Sequence, residues 1–131
     1  MLSKKRAVVT SLVFAMALLG ARPARSHHSN VAYEVTKVIT ITGVVKEFRR
    51  VNPHTWLYVN VDDGKGAKIE WAVEGRAPGV LLRAGWSRTS LKPGEKVTVD
   101  MSPAKDGTHV GIIARVTKDD GTILANQPAP Q

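Results

Sequence analysis

Hydrophobic and polar positions alternate along most of this chain. From Val35 to Val51, valine, isoleucine and threonine crowd the sequence, which predicts one long curved strand with a bulge or bend at Gly43. Asn52-Pro53 ends that strand, because proline has no N–H to give to a ladder. Thr55 to Asp62 sets Trp56, Tyr58 and Asn60 against Leu57, Val59 and Val61, a period of two. After the turn signal Asp63-Gly64-Lys65-Gly66, Ala67 to Glu74 alternates again with Ile69, Trp71 and Val73 on one face, and the two runs predict a hairpin.

The period then changes. Pro78 to Ala84 carries a proline suited to a first helical turn, a cluster of apolar residues and Gly85 as a stop, which predicts one short helix. Beyond the turn Lys92-Pro93-Gly94, Glu95 to Met101 sets Val97, Val99 and Met101 on one face. Lys105-Asp106-Gly107 turns the chain again, and His109 to Thr117 is read with Val110, Ile112, Ala114 and Val116 together. A short last strand, Thr122 to Ala125, follows Asp119-Asp120-Gly121, and the Pro/Gln stretch 126–131 is expected to be a disordered tail.

A sheet this small buries its apolar face only by closing or being covered. A helix between the third and fourth of five or six strands is the connectivity of an OB-like Greek-key barrel, so a mainly β fold of that kind is expected. A two-sheet sandwich is the alternative.

Composition narrows the class. The 131 residues are 43% hydrophobic and 23% charged with no Cys, which excludes a disordered chain and a disulfide scaffold. A net charge of +8 suggests a nucleic-acid binder until the charge is located. Of the 19 basic residues, Lys4, Lys5, Arg6, Arg22 and Arg25 fall in the first 26 positions, where no acidic residue stands. The remainder holds 14 basic against 11 acidic residues, a net of only +3.

Those first 26 positions have the layout of a secretory signal peptide. A basic start precedes the apolar run Ala7–Gly20, which is shorter than the roughly 20 residues of a membrane span. Ala24-Arg25-Ser26 supplies small residues three and one positions before a cut. Cleavage after Ser26 would send the mature chain to the periplasm or beyond without a membrane span. The expected domain is 27–125, with 27–34 an extended arm. Export also removes the chain from cytoplasmic nucleic acid.

Several blocks are distinctive: His27-His28-Ser29, Thr42-Gly43-Val44-Val45-Lys46-Glu47-Phe48 running into Asn52-Pro53-His54-Thr55-Trp56, Gly85-Trp86-Ser87-Arg88-Thr89-Ser90-Leu91-Lys92-Pro93-Gly94, and Pro103-Ala104-Lys105-Asp106-Gly107. In these the chain resembles an uncharacterised family of short exported bacterial proteins, a domain of unknown function. The resemblance implies a compartment and domain limits. It implies no catalytic residue.

Candidate chemistry rests on histidines and on an aromatic–basic group. Cleavage would expose His27, whose free amine and ring nitrogen can chelate one ion, with His28 beside it. His54 in the first inter-strand loop and His109 after the fourth turn lie in loops that flank the ligand face of an OB barrel. Imidazole donors suit copper, zinc and nickel, and Cu(II) leads the affinity order, so copper is the cofactor to consider. The plainer reading leaves His27 and His28 as terminal residues and His54 as a turn residue.

Trp56 and Tyr58 on one strand face, with Arg49, Arg50, Trp86 and Arg88 (and Arg83) nearby in sequence, form the candidate ligand-binding set, although tryptophans in a small barrel are more often packing. No nucleophile elbow, phosphate loop or dinucleotide fingerprint is present, and the aspartate pairs sit before turn glycines. The expectation is a non-enzymatic periplasmic binding or accessory module, its partner a small ligand or another exported protein. The alternative is an OB-type polyanion or nucleic-acid binder.

Overall fold

The computed structural model describes residues 32–127. The expected signal peptide, His27, His28 and all but the first two residues of the expected tail lie outside them. Six strands and one helix follow in the order β1 (Ile39–Arg49), β2 (Trp56–Asp62), β3 (Lys68–Glu74), α1 (Pro78–Arg83), β4 (Lys96–Pro103), β5 (Val110–Lys118) and β6 (Ile123–Ala125). Strand order is β3-β2-β1-β4-β5-β6, and a parallel pairing of β3 with β5 closes the first five into a barrel. This is the mainly β, OB-like Greek-key barrel that the element order predicts, with β6 added along β5.

Closure depends on β1 serving two neighbours. Ile39 to Val44 pairs with β4, and Val44 to Arg49 pairs with β2. The register shift on the β2 side lies between Val45 and Glu47, past the predicted Gly43. A bulge bends the strand that carries it and tightens its twist.

Inside, Leu57, Val59, Val73, Val97, Val99, Met101 and Val116 are fully buried. Each such side chain contributes roughly 1.5–3 kcal/mol by leaving water. In β5 the inward residues are Gly111, Ile113 and Val116 rather than the predicted alternate set. The pairing shifts between Asp100 and Met101, so Ala114 is an extra residue, and the shift turns the strand's second half over.

The helix ends in a Schellman motif. Gly85 takes φ +90°, which side-chain-bearing residues rarely adopt, and its N–H reaches Leu82 O at 3.1 Å while Trp86 N–H reaches Leu81 O at 3.0 Å. That reversal drives Trp86 into the core, where it is 2% exposed, 5.4 Å from the Phe48 ring, and donates from Nε1 to Ala125 O at 2.6 Å. Asn126, expected to begin the tail, belongs to the fold. It is buried, donates to Ala114 O, and accepts from Arg76 N–H through its side chain.

Candidate functional site

The site is built outward from Thr55. This buried threonine immediately precedes β2, and its hydroxyl donates to Arg76 O at 2.9 Å while its carbonyl accepts from Gly75 N–H at 2.9 Å. A Cβ at Gly75 would run into Thr55 Oγ1, so only glycine allows this approach. His54 precedes Thr55 and Glu74 precedes Gly75. The two strand ends are thus stitched together one residue from each candidate group.

Glu74 lies opposite Trp56 on β2 and Ile112 on β5. Because Val73 points into the core, strand alternation turns Glu74 to the outer face. Its side chain is nevertheless only 15% exposed, and both oxygens are used. Oε1 accepts from His54 Nδ1 at 2.7 Å and Oε2 accepts from the Tyr33 hydroxyl at 2.5 Å. Burial, the Glu74 hydrogen bond and its charge together push the Tyr33 phenol well above its ordinary pKa, so it stays a donor.

Tyr33 comes from the arm. It forms an antiparallel bridge with Ala104, flanked by Glu34 N–H to Pro103 O and Lys105 N–H to Ala32 O, each 2.9 Å. The arm therefore lies along the loop between β4 and β5 and reaches across to the first loop through one hydroxyl. Neither Tyr33 nor Glu74 stood out in the sequence. Glu74 was visible as an outward residue of β3, but nothing local pairs it with a tyrosine 41 positions earlier.

The histidines take separate positions. His54 is half exposed with Nε2 directed away from Glu74. His109 is exposed, its ring 5.0 Å from that of Trp71. Trp71 and Glu74 stand three apart on β3 and so face opposite ways, which gives the two histidines different partners on different faces. Among the described residues, no three histidine or acidic side chains converge as a metal set.

The aromatic–basic group divides similarly. Trp56 and Tyr58 share the outer face, partly exposed, with Arg49 5.1 Å over the Tyr58 ring. Arg49 is already committed to Glu47 through two 3.0 Å contacts, which hold that carboxyl below its usual pKa. Lys46 is paired with Glu70 in the same strip. Arg50 is partly exposed, and Arg83 and Arg88 are exposed on α1 and the loop beyond it. The Trp86 indole packs in the core rather than on the outer face that carries Trp56 and Tyr58. Lys46 and Arg49 are thus answered by carboxylates, whereas Arg50, Arg83 and Arg88 make no ion pair among the described residues.

A recess of about 120 Å³ lined by Lys96, Thr98, Thr117, Lys118 and Asp119 lies at the joined ends of β4 and β5 and carries charges of both signs. No curated protein matches the chain. A family model described as a family of unknown function, DUF6152, matches residues 15–114, which takes in β1 to β4, the helix and half of β5. With the arm, both candidate loops and Glu74 all inside that match, the chain belongs to the DUF6152 family.

Proposed function

We propose that the mature chain is an exported, non-enzymatic binding module that takes a copper ion at its amino terminus. The observation that carries this reading is the anchoring of the arm. Tyr33 is fastened both to Ala104 and to Glu74, so a chain cut after Ser26 would begin six residues before a fixed point. An amine and an imidazole on one residue form a chelate without any folding, and His28 offers a further donor. Ser87 and Ser90, the serines nearest the distinctive Gly85-Trp86 block, spend their hydroxyls on each other and on their own loop.

The test is a Cu(II) titration of protein beginning at His27 beside protein with one extra residue in front. Amine chelation predicts at least about tenfold weaker binding in the extended form, or about 1.4 kcal/mol. Equal affinity in both forms would remove it, and turnover of ester, phosphate or glycoside substrates would remove the non-enzymatic reading.

A further inference from the structure

We infer that the outer face of β2 is a binding strip for a neutral, β-linked polysaccharide segment. Trp56 and Tyr58 form its stacking surface, and Glu74 with His54 forms its hydrogen-bonding end. Every residue involved belongs to the barrel or to the arm at Tyr33, so the strip is independent of copper at the amino terminus.

Leu57 and Val59 are buried in the barrel, so Trp56 and Tyr58, which alternate with them, stand on the outside, both partly exposed. Two residues along a strand separate the rings by about 7 Å, the scale of one sugar unit. Arg49, in register with Trp56, reaches diagonally and lies 5.1 Å over the Tyr58 ring, which holds that ring in place. On the β3 side the residue in register with Tyr58 is Ala72, which ends at Cβ and cannot cover the ring. Trp71 packs against the core and Trp86 is buried, so neither belongs to the strip.

Polar groups frame the strip at both ends. Beyond Tyr58, the Lys46–Glu70 pair spans from β1 to β3 at the level of Asn60, which is in register with Glu70. At the start of β2, the Glu74 carboxylate stands in register with Trp56. It is held by His54 at 2.7 Å and by the Tyr33 hydroxyl at 2.5 Å, which brings a third aromatic residue to that end. The half-exposed His54 ring offers its second nitrogen to an incoming hydroxyl.

Charge selects the ligand class. Within the strip, Lys46, Arg49 and His54 each meet a carboxylate, from Glu70, Glu47 and Glu74. Arg50, Arg83 and Arg88 lie past the end of β1, on α1 and in the loop after it, off the face of β2. A polyanion binds by neutralising phosphates with free cations, and paired cations serve it poorly. Sugar hydroxyls both donate and accept, so they pair with carboxylate, guanidinium and imidazole without any net charge. An equatorially linked pyranose chain is extended and presents flat C–H faces, which meet the negative faces of aromatic rings. Trp and Tyr supply that contact with only two side-chain torsions each, and Arg49 and His54 are already held in the fold.

The experiment titrates the protein, purified as its host processes it, with cellohexaose, xylohexaose and chitohexaose. Affinity is read by calorimetry, and the indole N–H resonances of the three tryptophans by NMR. At least one probe is expected to bind and to move the Trp56 resonance, while that of Trp86, bonded to Ala125 O inside the fold, stays in place. The affinity is expected to hold between about 50 and 200 mM salt. Trp56→Ala and Tyr58→Ala should each weaken binding at least about fivefold, the low end of what one stacked ring contributes. Tyr58→Phe keeps the ring and should keep most of the affinity. Ala72→Leu should block binding, since it puts a branched side chain beside Tyr58.

A Trp56 resonance that none of the three probes moves at millimolar concentration would overturn the inference, as would sugar binding that Trp56→Ala and Tyr58→Ala leave unchanged. Binding of oligothymidylate or polyphosphate in place of the sugars, fading over the same salt interval, would assign the face to a polyanion and also remove it. Thermal unfolding of each variant separates lost binding from lost fold, and the indole shift needs no variant. Cu(II) affinity in Trp56→Ala should match the parent, so the failure of one reading leaves the other standing.

Discussion

Tyr33 and Glu74, 41 positions apart, meet through a 2.5 Å hydrogen bond that joins an extended arm to the third strand of the barrel. Among the described residues the bond is the arm's one side-chain tie to β3, beside backbone pairing with 103–105. Tyr33→Phe removes the hydroxyl and leaves the ring. The expected cost is about 0.5–1.5 kcal/mol, the net worth of one hydrogen bond. The more specific consequence is local: the Glu34 and Lys105 amides, which pair the arm to its neighbour, should exchange with solvent faster than in the parent while core amides of β2 are unchanged. Uniform acceleration across the domain would mean that Tyr33 holds the barrel rather than the arm.

Gly75 connects the packing to the site. A methyl group there would collide with Thr55 Oγ1, whose own hydrogen bond to Arg76 fixes the strand ends. Gly75→Ala should cost about 1–3 kcal/mol, the usual range for overpacking. It should also disturb the His54 ring resonances, since His54 is the next residue to Thr55. A variant with parent stability and parent His54 shifts would show that the close approach is not needed.

Trp86 gives a prediction of size. It fills core space beside Phe48 and satisfies the Ala125 carbonyl. Trp86→Phe keeps a ring but loses both volume and the indole donor, and about 2–3 kcal/mol is expected by denaturant unfolding. Gly85→Ala tests the turn that places it. With φ +90° and no neighbour within 4 Å of the new carbon, the loss there is backbone strain alone, about 1 kcal/mol. If Trp86→Phe were as mild as Gly85→Ala, the indole would not be a core element.

These residues mark where sequence reasoning worked. The alternation of Leu57 with Trp56 and Tyr58, and of Val73 with Glu74, sorts core from surface because each strand buries one face only. The helix was legible because Pro78 and Gly85 bracket it. β5 misled because the bulge at Ala114 shifts the period by one, and a bulge leaves no mark in hydrophobicity. Trp86 stood in the candidate ligand set although packing was the commoner expectation for a tryptophan, and the inward turn at the helix end that makes it core has no signal in the hydrophobic pattern. The Tyr33–Glu74–His54 contact depends on where the arm docks, a tertiary fact with no periodic signal. Of its three members only His54 carries chemistry that a residue type announces.

Asp100 supplies the acid dependence. Its carboxylate on β4 accepts from Thr40 on β1 at 2.6 Å and from Arg115 on β5 at 2.5 Å. The threonine bond first, and then the arginine, hold its pKa below the ordinary carboxylate value. The unfolded chain, with an unshifted aspartate near 3.9, binds the proton more readily than the folded one. The stabilisation is therefore complete above the unfolded value and is lost as pH falls through it towards the folded one. Stability should drop from about pH 5 downward, and Asp100→Asn should drop less steeply over the same interval. At neutral pH the variant should be weaker by up to about 1 kcal/mol, since the Arg115 side chain is 58% exposed and its share is screened by water and salt. Asp106 and Asp120 are also held low, by Thr108 and Thr122 in their own turns, so some slope should survive the substitution. Denaturant midpoints for both proteins between pH 3 and 7 decide the matter, and parallel curves would mean that the Thr40–Asp100–Arg115 contact does not couple folding to protons.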